Sequence, residues 1–338
     1  MTQADDSRTF LVTGDSGFIG TYLARRLMQT GYSVKGIDVL PHYSSWTVHP
    51  QIVGNILEPE AVRRTLRDVQ CIIHLAAEHK DFGVSHSRYF QVNKDGTENL
   101  LRCAAEQDVK EFIFFSSVAV YGEQQATSED TAPNPITPYG ESKLAAENAV
   151  RQWTKEDLSR TGIIIRPTVV FGPMNNANIF RLIKQVCDGR FVWVGNGDQI
   201  KSVAYVENLV DATLFLLQNV KPGLEVFNYA DSPHLRTREL VNLIASKAGV
   251  RIPSLHIPAT VAVSAAKIFD LIGAISGRDF SLTSLRIKKF STPTYHTAEK
   301  IRRCGFTPSY TIEEGIEKNV QWYLNHYRSM NTSFEISE

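Results

Sequence analysis

The chain has 338 residues, more than one hydrophobic core ordinarily organises and enough for two lobes. With 43% hydrophobic and 21% charged residues it has the make-up of a folded protein rather than a disordered one. Its 36 basic residues cancel its 36 acidic ones, so no global field draws nucleic acid, and any anionic ligand has to be met locally.

Residues 1–9 are polar and acidic, without the basic start and apolar run of an export signal, and no uninterrupted apolar run of about 20 residues follows anywhere. Phe10-Leu11-Val12 reads as a short buried strand, and residues 18–30 carry apolar side chains at helical spacing before Gly31 stops them. Strands are predicted at 34–37, 71–75, 112–115 and 163–165, with helices near 58–67 and 93–106 between them. Strands alternating with helices predict an α/β fold, a Rossmann-type doubly wound parallel sheet covered on both faces. The segment 124–138, rich in Pro, Thr, Asn and Glu, is a surface loop near the strand ends, where such sheets bind ligands. After Gly172-Pro173 the pattern loses regularity. Residues 7–172, with a return near 203–218, are therefore expected to form the nucleotide lobe, and 173–329 mainly a smaller mixed α/β substrate lobe.

Three separated pieces carry the chemistry. In Thr13-Gly14-Asp15-Ser16-Gly17-Phe18-Ile19-Gly20 the glycines allow a tight turn, backbone approach to a pyrophosphate and close packing of helix on strand. Asp38 follows Gly20 by eighteen residues, close to the spacing of about 20 expected for an acid that binds the ribose hydroxyls. Its charge repels a 2′-phosphate, which selects NAD over NADP. The second piece is Ser117, at the end of the strand 112–115, where its hydroxyl can hold a reacting oxygen. The third is Tyr139 and Lys143, four residues apart and on one helical face if the helix begins near Pro138. A tyrosine titrates near ~10, so a base working at neutral pH needs the neighbouring ammonium.

The four cysteines, Cys71, Cys103, Cys187 and Cys304, are scattered, which suits a reducing cytoplasm. The nine histidines show no paired-ligand spacing, so no metal is expected, and His74 reads as a packed strand residue.

Together these motifs resemble the extended short-chain dehydrogenase/reductases of the sugar epimerase/dehydratase group. The resemblance runs through Thr13 to Gly20, His74-Leu75-Ala76-Ala77, Asn93 to Leu100, Ser116 to Gly122, Tyr139 to Lys143 and Arg166-Pro167-Thr168-Val169-Val170-Phe171-Gly172-Pro173. It implies Ser117 as substrate hydrogen-bonder, Tyr139 as acid/base and Lys143 as ribose binder that lowers the tyrosine pKa. It implies NAD contacts from Gly14, Gly17, Phe18, Ile19, Gly20, Asp38, Asn55, Ile56, Leu75, Ala76, Ala77, Asn93, Tyr139, Lys143, Arg166, Pro167 and Val169. Asn55 stands where the family often has Asp, and its carbonyl oxygen can accept from the adenine amine equally well. Sugar dehydratases of the group place an Asp-Glu pair after the catalytic Ser/Thr, whereas this chain has Val118 and Ala119, which cannot shuttle protons. Dehydration is therefore disfavoured, and 4-epimerisation of an activated hexose or N-acetylhexosamine is what the resemblance implies. A 4-keto-sugar reductase and a catalytically idle nucleotide-sensing scaffold are the alternatives.

On the substrate side the expected contacts are Ser117, Val118, Lys201 and Arg286, with Lys201 where nucleotide-sugar epimerases carry an Arg toward the diphosphate. Residues 257–277, if helical, place Thr260, Ser264, Lys267 and Asp270 in one polar stripe, and Arg278, Arg286, Lys288 and Lys289 follow. Two readings of 257–290 stay open: a helix buried in the substrate lobe with a solvated basic strand, or peripheral contact with the inner membrane face. The resemblance is greatest to epimerases of bacterial surface-polysaccharide assembly, including those acting on polyprenyl-diphosphate-linked sugar. It also implies a homodimer.

Overall fold

A computed structural model of the chain describes residues 8–42, 49–80, 83–219, 221–254, 256–258, 261, 264 and 293–328. Two compact units are present: Met1–Thr168 with Val206–Tyr229 and Thr297–Ser309, and Val169–Tyr205 with Ala230–His296 and Tyr310–Glu338.

The first unit is built on seven parallel strands: β1 (Thr9–Thr13), β2 (Ser33–Asp38), β3 (Gln51–Val53), β4 (Cys71–His74), β5 (Glu111–Phe115), β6 (Thr161–Pro167) and β11 (Gly223–Tyr229). Their order across the sheet is β11-β6-β5-β4-β1-β2-β3. The expected Rossmann-type α/β sheet is thus what the chain forms.

Both faces are covered because the strands are apolar at both parities. Leu11, Ile37, Ile72, Phe112, Phe114 and Ile164 point to one side, where they bury Val62 of α2 (Pro59–Thr65), Leu100 and Ala104 of α4 (Gly96–Glu106) and Val150 and Trp153 of α5 (Pro138–Lys155). Phe10 and Val12, of the other parity, are equally buried on the side where α1 (Phe18–Gln29) packs with α7 (Val206–Asn219).

Chain direction across the sheet reverses between β1 and β4, so the loops after those two strands open a crevice at their carboxyl ends. The register pairs Thr13 with His74 there. Thr13 Oγ1 lies 2.6 Å from His74 Nδ1, whose Nε2 meets Thr97 Oγ1 at 2.9 Å, and Thr13 Oγ1 also accepts the Ala76 N–H at 3.1 Å. His74 is therefore a buried structural joint that fixes the crevice walls.

The predicted helix 93–106 differs at its start. After α3 (His86–Phe90) the residues Gln91–Asp95 form a π-helical turn before α4 resumes at Gly96. Such turns re-aim one side chain; here it is Asn93, described below.

The second unit pairs β7 (Val169–Phe171) with β10 (Val203–Tyr205), β8 (Trp193–Val194) with β13 (His256–Ile257), and β9 (Ile200–Lys201) with β12 (Leu235–Arg236). Helices α6 (Asn178–Cys187), α8 (Thr237–Ala248) and α10 (Ile312–Trp322) belong to it, and α9 (Glu299–Arg303) belongs to the first unit. Tyr205 packs against Phe171 and Tyr310, and Gly315 of α10 leaves room for the Tyr205 ring.

Candidate active site

The turn after β1 is closed by Gly17 N–H donating to Gly14 O at 3.0 Å. Gly14 has φ +72, and a Cβ placed on Gly20 would lie 2.1 Å from Gly14 O, so side chains at these positions would destroy the turn. Helix α1 starts with no side-chain cap and no acid in its first turn. Its leading N–H groups are left for an external anion, which is what a dinucleotide pyrophosphate supplies. The cradle therefore fits the cofactor.

Asp38 ends β2 beside this turn. Its Oδ2 accepts from Ser16 N at 3.1 Å and its Oδ1 from Leu40 N at 3.0 Å. Burial raises its pKa, and those backbone N–H groups oppose the rise. Asn55 Oδ1 accepts from Leu57 N at 3.0 Å. The Ile56 side chain is buried against Gly96, and its carbonyl accepts from Asn99 at 2.7 Å, so any cofactor contact from Ile56 is through backbone. Leu75, Ala76 and Ala77 line the exit of β4 and are partly exposed.

Asp15 brings in residues the sequence did not connect. Its Oδ2 lies 2.6 Å from His42 Nε2 and 2.9 Å from His49 Nε2, and Gln51 Nε2 donates to Oδ1 at 3.2 Å. A two-histidine, one-carboxylate group is thus formed across separations of 27 and 34 residues that no local motif reveals. The separations are hydrogen-bond lengths, accounted for by two N–H donors on one oxygen. Burial raises the Asp15 pKa, and these bonds more than offset it, so the carboxyl is held below its ordinary value.

Catalytic candidates come from two neighbouring elements of the same unit. Ser117 directly follows β5 and caps the 3-10 turn Val118–Tyr121, its Oγ accepting from Ala119 N at 3.1 Å. Helix α5 begins at Pro138 as expected, and Thr137 caps it, its Oγ1 accepting from Gly140 N at 3.1 Å. Tyr139 and Lys143 consequently lie one turn apart. Lys143 is 2% exposed, with Nζ 4.4 Å from the centroid of the Phe114 ring. Burial pushes its ammonium down to about 7, and the Glu147 carboxylate opposes that fall. Asn93, turned inward by the π-helical turn, accepts from Glu78 N at 2.7 Å and donates to Ser142 Oγ at 2.9 Å, and Ser142 Oγ donates to Tyr139 O at 2.8 Å. It thereby joins the β4 exit loop to the first turn of α5.

Arg166 was expected at the cofactor, but its side chain is engaged elsewhere. It is 1% exposed, with Nε and Nη2 donating to Glu147 at 2.8 and 2.6 Å and Nη1 donating to Tyr121 Oη at 2.7 Å. Pro167 ends β6 and Val169 opens β7. In the second unit Lys201 sits in β9, paired with Leu235 of β12, and burial pushes its ammonium down to about 8. Arg286, and most of 257–290, lies outside the described residues.

Residues 10–230 match the model of the family described as NAD dependent epimerase/dehydratase family. The chain belongs to this family. It is an NAD-dependent enzyme of the extended short-chain dehydrogenase/reductase type, and NAD is the cofactor. A relative from Escherichia coli O157:H7, the N-acetyl-alpha-D-glucosaminyl-diphospho-ditrans,octacis-undecaprenol 4-epimerase, is 35% identical over 331 residues, covering 96% of this chain and 98% of the relative. Among solved structures, UDP-glucose 4-epimerase from Thermotoga maritima superposes with TM-score 0.76 at 22% identity, over 94% of this chain and 99% of that one. UDP-N-acetylglucosamine 4-epimerase from Bacillus cereus does so with TM-score 0.74 at 18% identity, over 93% and 99%.

Proposed function

We propose that the chain is a 4-epimerase of an N-acetylhexosamine carried on a diphosphate, with polyprenyl-diphosphate-linked N-acetylglucosamine as first candidate and a nucleotide sugar as second. The observation that carries the reading is the pairing of an unsubstituted Ser117, Tyr139 and Lys143 set with 35% identity to an epimerase of lipid-linked N-acetylglucosamine along almost the entire chain. Val118 and Ala119 after Ser117 support it further, since neither can move a proton in a dehydration.

In this reading Tyr139 removes the proton from the sugar C4 hydroxyl and later returns one to the same oxygen. Ser117 Oγ holds that oxygen, and Lys143 stabilises the phenolate and the nearby ribose. NAD, when bound, supplies the place to which hydride goes and from which it comes back. Inversion requires the residues to release the flat C4 intermediate long enough for its other face to present itself. The first compact unit is the nucleotide lobe and the second mainly holds the sugar diphosphate, with Lys201 and Arg286 toward its charge. Asp38, Asn55 and the Gly14 to Gly20 turn hold the adenosine and pyrophosphate.

Among the described residues no helix is long and apolar enough to cross a membrane. A cytoplasmic homodimer that touches the inner membrane face through 257–290 completes the proposal, supported by the lipid-linked substrate of the relative. The test is incubation of the purified protein with undecaprenyl-diphospho-N-acetylglucosamine and with UDP-N-acetylglucosamine, resolving products by sugar configuration. The N-acetylgalactosamine epimer should form from at least one of them without added NADH. A strict requirement for NADH would instead identify a reductase, and no conversion of either would discard the reading.

A further inference from the structure

Glu147 lies one turn beyond Lys143 in α5, is fully buried, and joins three elements. Its Oε1 accepts from Ser116 Oγ at 2.6 Å and from Arg166 Nε at 2.8 Å, and its Oε2 accepts from Arg166 Nη2 at 2.6 Å and from Arg151 Nη2 at 3.5 Å. Ser116 is the residue immediately before Ser117. Arg166 extends the chain of contacts to Tyr121 Oη and from there to Asn228 Oδ1 at 2.8 Å. No mechanistic step uses Glu147. A buried carboxylate is costly unless fully paired, so its retention inside the fold asks for a reason.

We propose that Glu147 is a positioning residue for the reaction: through Ser116 and Arg166 it fixes the strand end that carries Ser117 against the helix that carries Tyr139 and Lys143. The inference rests on the epimerase reading above. The tether acts on distance, because Ser117 and Tyr139 must meet one sugar oxygen from two different elements.

The experiment takes full-length wild type, Ser116→Ala, Ser116→Thr and Glu147→Gln, all loaded with NAD, and measures conversion of undecaprenyl-diphospho-N-acetylglucosamine from about pH 6 to about pH 10. Ser116→Ala should lower kcat roughly 10- to 100-fold with a much smaller change in KM, leaving the alkaline limb in place, and Ser116→Thr should restore most of it. Glu147→Gln should lower kcat at least as far as Ser116→Ala, since it weakens the bonds to both Ser116 and Arg166. Because Ser116→Ala keeps the ion pair, it reports on the tether even where Glu147→Gln does not fold. Wild-type kcat in Ser116→Ala, or in a folded Glu147→Gln, overturns the inference while the epimerase reading stands. A wild type that holds NAD but converts nothing overturns both.

Discussion

Tyr139 and Lys143 were readable because helix geometry is short-ranged: Pro138 starts the helix, and a separation of four residues puts two side chains on one face. The same local logic located Ser117 at the exit of a strand of four aromatic and aliphatic residues. What surrounds them was not readable. Glu147 reaches Ser116 across 31 residues and Arg166 across 19, and only the sheet order brings β5, β6 and α5 together. Arg166 illustrates the cost: near the end of a strand it resembles a ligand-binding arginine, yet the fold buries it on a carboxylate. At this scale the expected result for Tyr139→Phe is loss of turnover by at least about 100-fold with NAD still bound, read by product formation and by the nucleotide released when the purified variant is denatured. Unchanged turnover would remove Tyr139 from its role.

Elements were legible where they carried periodic apolar residues, and less so at the sheet edges. Neither β3 nor β11 announces itself. β3 has three residues, and β11 begins with Gly223, includes Glu225 and Asn228, and is defined by pairing with β6 from Thr161 onward. The π-helical turn at Gln91–Asp95 was also invisible, because it depends on Asn93 finding Glu78 and Ser142. Thr137 caps the helix that presents Tyr139, so Thr137→Ala should destabilise the protein by about 1 kcal/mol in urea unfolding, and a loss below the error of the measurement would show that the cap is dispensable. The Asp15 group fastens residues 42 and 49 to the glycine-rich turn, next to the Ser16 N–H that binds Asp38. His49→Ala should weaken NAD about tenfold, the worth of one hydrogen bond to a charged group, while leaving kcat at saturating NAD near wild type. Equal affinity in titrations of the variant and wild type would separate this group from the cofactor site.

For the molecule as a whole, each compact unit holds a histidine buried in neutral form: His74 in the first, pushed down to about 3, and His296 in the second, pushed down to about 4, both chiefly by burial. Unfolded histidine takes up its proton near 6.5, so between that value and the folded ones the unfolded chain binds more protons, and stability falls as pH falls. The thermal midpoint should therefore decline on acidification from about pH 6.5 to about pH 4, and His74→Gln should flatten that decline. A flat profile over this range would show that the rings are accessible.

An amine pushed by burial down to about 7 makes loading of the dinucleotide a proton-coupled event. Ribose hydroxyls accept hydrogen bonds from the charged form and so favour it, which means the enzyme takes up part of a proton from solution as NAD docks at neutral pH. Calorimetric heats of docking should then vary with the ionisation heat of the buffer, and alkaline solution should loosen the cofactor before it unfolds the chain.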